Sequence, residues 1–214
     1  SNPDTSIILS TQALKIANKA KYQTGIGQSC HNLGSFYYLI GGYDTALTWY
    51  NKALEIWIQL EKSLPELKLQ QAGEINKSKI RNKFSSTLGN IGKIYWNQGD
   101  YPTALDHYRQ ALEIGKELGD KNRIAIQLGN IGNIYHGQGD YPTALDHYRQ
   151  ALEIDKELGD KNRIAIWLGN IGIIYAEQGD YPIALDHFRQ GLEIDKEFGY
   201  KNRKAIWLGN IGII

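Results

Sequence analysis

Residues 89–128 have the sequence GNIGKIYWNQGDYPTALDHYRQALEIGKELGDKNRIAIQL, and nearly the same forty letters follow twice more. Residues 129–168 differ from them at five positions, and residues 169–208 differ from 129–168 at nine. The first six residues of a further copy, GNIGII, end the sequence, and a more divergent copy precedes the regular ones. A repeat of this period predicts an array of stacked supersecondary units.

Each repeat contains the signals of two helices. In residues 121–138 the apolar residues recur three and four positions apart, at Ile124, Leu128, Ile131 and Tyr135, which places them on one helical face. Gly139 predicts a left-handed helix end, and Asp140 predicts the N-cap of a second helix that Gly159 ends. A single helix pair cannot bury both of its apolar faces, so neighbouring repeats are expected to stack.

Small residues recur where the helices of a pair should cross. Gly132 on the first helix and Ala144 and Ala151 on the second leave room for close approach, and Tyr148 fills the space beside them. A glycine within a helix costs about 0.5–1 kcal/mol relative to alanine, so packing must return that free energy.

The chain has 214 residues and a formal net charge of +1, which gives no general attraction to nucleic acid. Its single cysteine, Cys30, is typical of a reducing compartment, and we expect a cytoplasmic protein. No apolar run reaches a membrane-spanning length, and the N-terminus lacks a signal-peptide pattern. Because methionine is absent throughout, we expect the sequence to be part of a longer protein.

The recurrent residues resemble the tetratricopeptide repeat, whose pattern they match in phase over nearly the whole chain. In one copy they are Leu88, Ile91, Gly92, Tyr95, Gly99, Asp100, Tyr101, Ala104, Leu105, Tyr108, Ala111 and Leu112. The 40-residue period resembles kinesin light chains, Leu-Gly-Asn-repeat adaptors and bacterial regulators with such repeats. The resemblance implies an all-α fold, a right-handed superhelix of antiparallel pairs (an α-solenoid). In it, first helices line a concave groove for an extended peptide or a partner helix.

The register predicts how the chain is organised. We expect a second helix without its first at 4–20 and a first helix without its second at 201–214. Between them lie repeat 1 at 21–62, an insertion at 63–80, and repeats 2, 3 and 4 at 81–120, 121–160 and 161–200. The two ends then expose complementary apolar faces, which predicts head-to-tail self-association.

One asparagine per repeat is predicted to face the groove: Asn32, Asn90, Asn130, Asn170 and Asn210. An amide both donates and accepts, so it can pair with a peptide backbone whatever its sequence. The glycine that precedes four of them, as Gly129 precedes Asn130, would let a ligand backbone approach. Alternatively, each asparagine hydrogen-bonds a neighbouring helix and was copied by duplication.

The other predicted groove residues vary between repeats: Lys93, Trp96, Ile126, Asn133, His136, Ile166 and Ile173. The change from polar to aliphatic predicts a ligand that is polar or acidic near Lys93 and apolar toward Ile166 and Ile173. Drift in a solvated surface would give the same pattern. Adaptors of the Leu-Gly-Asn type often carry an arginine four residues before the asparagine, where this chain has Gln28, Ser86, Ile126, Ile166 and Ile206.

No set of residues predicts catalysis, and we expect neither an enzyme nor a metal or other cofactor. Asp-His pairs recur at 106–107, 146–147 and 186–187, but adjacent helical residues point in different directions and a solvated surface is the simpler interpretation. Cys30 occupies a leucine position of the repeat, which predicts a buried apolar role.

The insertion contains Ser63-Leu64-Pro65-Glu66, a capping-box pattern that predicts a helix from about Leu64 to Asn97 or a short extra helix. Its basic residues, Lys68, Lys77, Lys79, Arg81 and Lys83, predict a solvated extension or, alternatively, a partner or nucleic-acid contact. The leading functional hypothesis is a protein-binding scaffold. The second is a regulatory or sensor segment of a larger bacterial signalling or effector protein that acts through intramolecular contacts.

Overall fold

The computed structural model describes residues 3–64, 76–199 and 201–213, which form helices joined by short turns. The chain divides into two compact units, residues 1–118 and 119–214. Unit 1 contains α1 Pro3–Lys19, α2 Gln23–Leu39, α3 Tyr43–Ser63, α4 Lys77–Asn97 and α5 Tyr101–Leu118. Unit 2 contains α6 Lys121–Gly137, α7 Tyr141–Leu158, α8 Lys161–Glu177, α9 Tyr181–Phe198 and α10 Lys201–Ile213. Within each unit, consecutive helices pack against one another, which confirms the predicted all-α class of antiparallel pairs.

The predicted helix ends are confirmed where local signals define them. The Asp140 carboxylate accepts a hydrogen bond from the Thr143 N–H at 3.2 Å, so it caps α7. Asp160 caps α8 in the same way, through the Arg163 N–H at 3.0 Å. Gly159 ends α7 with φ at +70°, a left-handed conformation that glycine adopts without a steric penalty.

In four of the first helices, α2, α4, α6 and α8, a glycine lies directly against an aromatic ring of the helix that follows. A Cβ atom on Gly132 would stand 2.7 Å from the Tyr148 ring, and one on Gly92 would stand 2.8 Å from the Tyr108 ring. Tyr148 is fully buried by this contact. The recurrent glycine is therefore explained by close helix packing, as the sequence predicted.

A buried carboxylate, which the sequence analysis did not identify, joins α7 to α8. Asp155 is 0% exposed and accepts hydrogen bonds from Arg163, at 2.7–3.0 Å, and from the Trp167 indole N–H, at 2.6 Å. The same arrangement recurs between α9 and α10, where Asp195 accepts from Arg203 and from the Trp207 indole N–H. We call each such set a carboxylate clamp, because one acid holds two side chains of the following helix.

The connection between α3 and α4 differs from the prediction. Ser63 is the last residue of α3, and its hydroxyl donates to the Leu60 carbonyl. Asn76, which has an extended backbone, caps α4 by accepting from the Lys79 N–H at 2.8 Å. A continuous helix from Leu64 to Asn97 is therefore wrong. The predicted features at 65–75, including Lys68, lie outside the described residues.

Candidate functional site

The predicted groove residues of unit 1 are half-buried or exposed on α2 and α4. Asn32 accepts a hydrogen bond from the Gln28 side chain at 2.8 Å. The Asn90 amide hydrogen-bonds the Tyr50 hydroxyl, which also donates to Ser35 at 3.0 Å. Both asparagines are half-buried and already have protein partners, so their amides are held in fixed orientations.

An aromatic and cationic cluster lies at the C-terminal end of α4. The Lys93 ammonium is 5.2 Å from the centre of the Tyr38 ring, within cation–π range. Asn97, which the sequence analysis did not include, donates to the Tyr38 hydroxyl at 3.0 Å and to the Tyr43 hydroxyl at 3.3 Å. Trp96, which precedes Asn97 in the sequence, is 39% exposed, so part of its indole ring is in contact with solvent.

In unit 2 the structure brings asparagines of successive first helices together. The Asn133 side-chain oxygen accepts from the Tyr148 hydroxyl at 2.7 Å and from the Asn170 amide at 3.3 Å. Asn130 donates to the buried Gln127 side chain at 3.3 Å. One acceptor thus joins α6, α7 and α8. The half-buried Asn170 amide also hydrogen-bonds the Tyr148 hydroxyl and keeps its oxygen for other partners.

The remaining predicted residues of unit 2 are His136, three isoleucines and Asn210. His136 lies with its Nε2 atom 2.8 Å from a Glu177 carboxylate oxygen, and its ring is 6.0 Å from that of Tyr141. Ile126 is 38% exposed, whereas Ile166, Ile173 and Asn210 are half-buried. Ile173 also packs against the core formed around Phe188.

The predicted role of the glycines before the asparagines is wrong at two positions. A Cβ on Gly129 would lie 2.0 Å from the Trp167 ring, and one on Gly169 would lie 2.5 Å from the Trp207 ring. The space beside these glycines is therefore filled by a clamp tryptophan and cannot admit a ligand backbone. In the part of the chain that the structure describes, no atom lies within 4 Å of such a Cβ on Gly209.

The recurrent histidines are not the solvated residues that the sequence predicted. His107, His147 and His187 are half-buried, and their rings lie 5.5–5.8 Å from those of Tyr95, Tyr135 and Tyr175. Burial lowers the pKa of His107 and His187 below the ordinary value for histidine. These residues therefore contribute to packing. Cys30 is 3% exposed, which confirms its predicted burial.

No helix in the described part of the chain has the length and apolar character that crossing a membrane requires. Within residues 3–64, 76–199 and 201–213, no three His, Cys, Asp or Glu side chains are grouped so as to hold a metal ion.

Comparisons with known proteins agree with the repeating helix pairs of this fold. A tetratricopeptide repeat model matches residues 84–157 and 124–197, and a second model of the same description matches 27–62. The chain belongs to the tetratricopeptide repeat family, and it resembles the kinesin light chain-like repeats within it. The family is generally one of non-enzymatic protein-interaction scaffolds.

Solved structures share the fold at low sequence identity. BtubC (BKLC) from P. vanneervenii is 18% identical with a TM-score of 0.76, and the match covers 100% of this chain and 83% of that one. The apo form of RapI is 20% identical with a TM-score of 0.73, over 89% of this chain and 48% of its own. Aspartyl phosphate phosphatase F from Bacillus subtilis is 14% identical with a TM-score of 0.70, over 87% and 43%. No curated protein sequence matches the chain.

Proposed function

We propose that the chain binds an extended peptide or a partner helix along the groove lined by its first helices. The observation that carries the proposal is the joining of Asn133 to Asn170 across two successive first helices, with Tyr148 bonded to the same acceptor. Amides fixed in this way lose little conformational entropy when a ligand backbone binds to them. The proposed contacts are the five asparagines together with Lys93, Trp96, Asn133, His136, Ile126, Ile166 and Ile173.

The chemistry of these residues supports a ligand of mixed character. Lys93 and the hydroxyls of Tyr38 and Tyr43 favour an acidic or polar segment in unit 1. The half-buried Ile166 and Ile173 favour an apolar segment in unit 2.

Replacing Asn90, Asn130 or Asn170 with alanine is expected to weaken peptide binding by about fivefold each. One hydrogen bond contributes about 1 kcal/mol, and a factor of ten in affinity corresponds to 1.4 kcal/mol. Peptides selected by display on the intact chain would supply the ligand, and titration calorimetry would measure each variant.

The matched control is Gln150→Ala, which removes an exposed amide of α7 that donates to Asp146 at 2.7 Å. This variant should bind with unchanged affinity. Thermal unfolding of every variant separates lost contacts from lost structure, since Asn170 also bonds Asn133. If all three asparagine variants bind as tightly as the parent chain, the proposed ladder is wrong.

A second candidate function is regulation inside a larger protein. The chain spans less than half of RapI and of aspartyl phosphate phosphatase F, so a similar array forms only one part of those proteins. By analogy, this array would act as a cytoplasmic bacterial sensor segment through intramolecular contacts. The sequences that flank it in the gene would distinguish this function from that of a free-standing adaptor.

Self-association is also proposed, on the evidence of apolar side chains left uncovered on α1 and α10. Ile8, Leu9 and Ile16 are 57–70% exposed, and Leu208 is 52% exposed. We expect the α1 face of one copy to cover the α10 face of another, and light scattering over a concentration series to show a rising mass. A constant monomer mass at millimolar concentration would exclude it.

A further inference from the structure

The junction between α3 and α4 has lost the acid of the carboxylate clamp. In the repeat register, Trp57 stands at the position of Asp155, Lys83 at that of Arg163, and Thr87 at that of Trp167. A cation and an indole N–H are therefore both present at this junction, although the indole now comes from the preceding helix. Trp57 itself stands at the register position of the clamp carboxylate, and among the described residues no carboxylate accepts from its indole N–H.

A cavity of about 330 Å³ opens at this junction, within unit 1. Trp57 and Ile80, each 2% exposed, give it an apolar wall, and Thr24 and Gln28 of α2 contribute polar groups. Lys79 and Lys83 of α4 line it with ammonium groups. This volume is at the lower end of the range for small-ligand sites, about 300–1,000 Å³.

Two buried polar atoms of the cavity residues have no hydrogen-bond partner in the described part of the chain. They are the Trp57 indole nitrogen and the Thr24 hydroxyl oxygen. The indole N–H can only donate, and a buried donor without an acceptor costs about 1–3 kcal/mol. At both intact clamps the same group donates to a carboxylate at 2.6 Å.

The local charge also favours an anion. Among the cavity residues the formal charge comes from Lys79 and Lys83, and Lys83 contributes, after burial itself, to lowering the pKa of the nearby His31 to about 4. His31 is therefore neutral at pH 7 and adds no positive charge. Its Nδ1 atom lies 2.9 Å from the Thr87 hydroxyl. In the repeat register these two residues stand at the positions of Gly129 and Trp167, which pack together at the intact clamp.

We propose that this cavity binds a carboxylate carried on an apolar body, whose oxygens take the place of the missing aspartate. The carboxylate would accept from the Trp57 indole and pair with Lys83, and the apolar body would lie against Ile80. Such a group can come from a free organic acid or from an acidic residue beside an apolar one in a partner's chain. The inference does not depend on the asparagine groove, because none of the five asparagines lines the cavity.

The test is calorimetric titration of the whole chain with 4-phenylbutyrate and with its uncharged amide. We expect the acid to bind at least tenfold more tightly than the amide. Trp57→Phe removes the indole N–H and keeps a ring, Lys83→Gln removes the charge at the surface, and each should weaken binding of the acid fivefold or more. Lys116→Gln, which removes an exposed lysine of α5 outside the cavity, is the matched control and should leave binding of the acid unchanged.

A second arm distinguishes the two sources of the carboxylate. Acetylated and amidated Leu-Glu-Leu is titrated beside its Leu-Gln-Leu counterpart. Selective binding of the glutamate peptide supports a peptide ligand, and selective binding of 4-phenylbutyrate alone supports a small acid. The proposal is overturned if neither acid binds, if acid and amide bind equally, or if Lys83→Gln, with the circular dichroism of the parent, binds the acid unchanged.

Discussion

Asp155→Ala is expected to lower the free energy of unfolding of unit 2 by about 3 kcal/mol. The carboxylate is 0% exposed and accepts from both Arg163 and Trp167, so its removal leaves an indole N–H buried without an acceptor. An unsatisfied buried donor costs about 1–3 kcal/mol, and breaking a buried ion pair costs about 3–5 kcal/mol. Because the Arg163 side chain is 18% exposed and can regain some water, the lower part of the second range applies.

Urea denaturation followed by circular dichroism would measure this loss. Asp155→Asn, which keeps the shape and one acceptor, should lose about half as much. The matched control is Glu153→Ala, whose side chain is 68% exposed and pairs with Lys156 on the same helix. Exposed ion pairs contribute about 0–1 kcal/mol, so the free energy of unfolding of this variant should stay within about 0.5 kcal/mol of that of the parent. Equal stability of the Asp155 and Glu153 variants would show that the clamp contributes nothing.

Local signals explain why the helices and their ends could be predicted. The Asp140 cap and the Gly159 helix end each depend on residues within a few positions of one another. The Gly132–Tyr148 contact was also foreseeable, because a glycine that recurs within a helix needs a packing partner. The clamp joins residues eight and twelve positions apart on different helices, and no helical periodicity connects them. Its signal was the joint change of Asp155 and Trp167 to Gly115 and Gln127 in the preceding copy.

The candidate site was harder to predict. Helical periodicity shows which residues share a face of a helix, but it does not show which other helix or ligand that face contacts. Gly129 and Asn130 are adjacent, and about 100° of rotation separates a residue that faces the next helix from one that faces the groove. The sequence therefore assigned both to the groove, whereas Gly129 lies under Trp167. The cavity at Trp57 was missed because only comparison with the complete clamps shows that an acid is absent there.

Gly129→Ala is expected to destabilise unit 2 by about 1–2 kcal/mol, although alanine is the better helix former. The gain in helix propensity is about 1 kcal/mol. Against it, the new Cβ would lie 2.0 and 2.4 Å from two carbons of the Trp167 ring. That ring is 6% exposed and its indole nitrogen is held by Asp155, so it cannot turn away without losing a hydrogen bond. Overpacking of a buried site costs about 1–3 kcal/mol, and more at such short distances.

The chain provides its own control for this substitution at Gly209, the same register position two repeats later. Because a Cβ there meets nothing within 4 Å, Gly209→Ala should leave stability unchanged or raise it by up to about 1 kcal/mol. Trp167→Gln, which installs the residue found at position 127, should make Gly129→Ala less costly in the double variant than in the single one. If the Trp167 ring causes the penalty, the losses of stability in this double-mutant cycle cannot be additive, so additive losses would refute the packing explanation. It would also be refuted if the Gly129→Ala and Gly209→Ala chains unfolded at the same urea concentration.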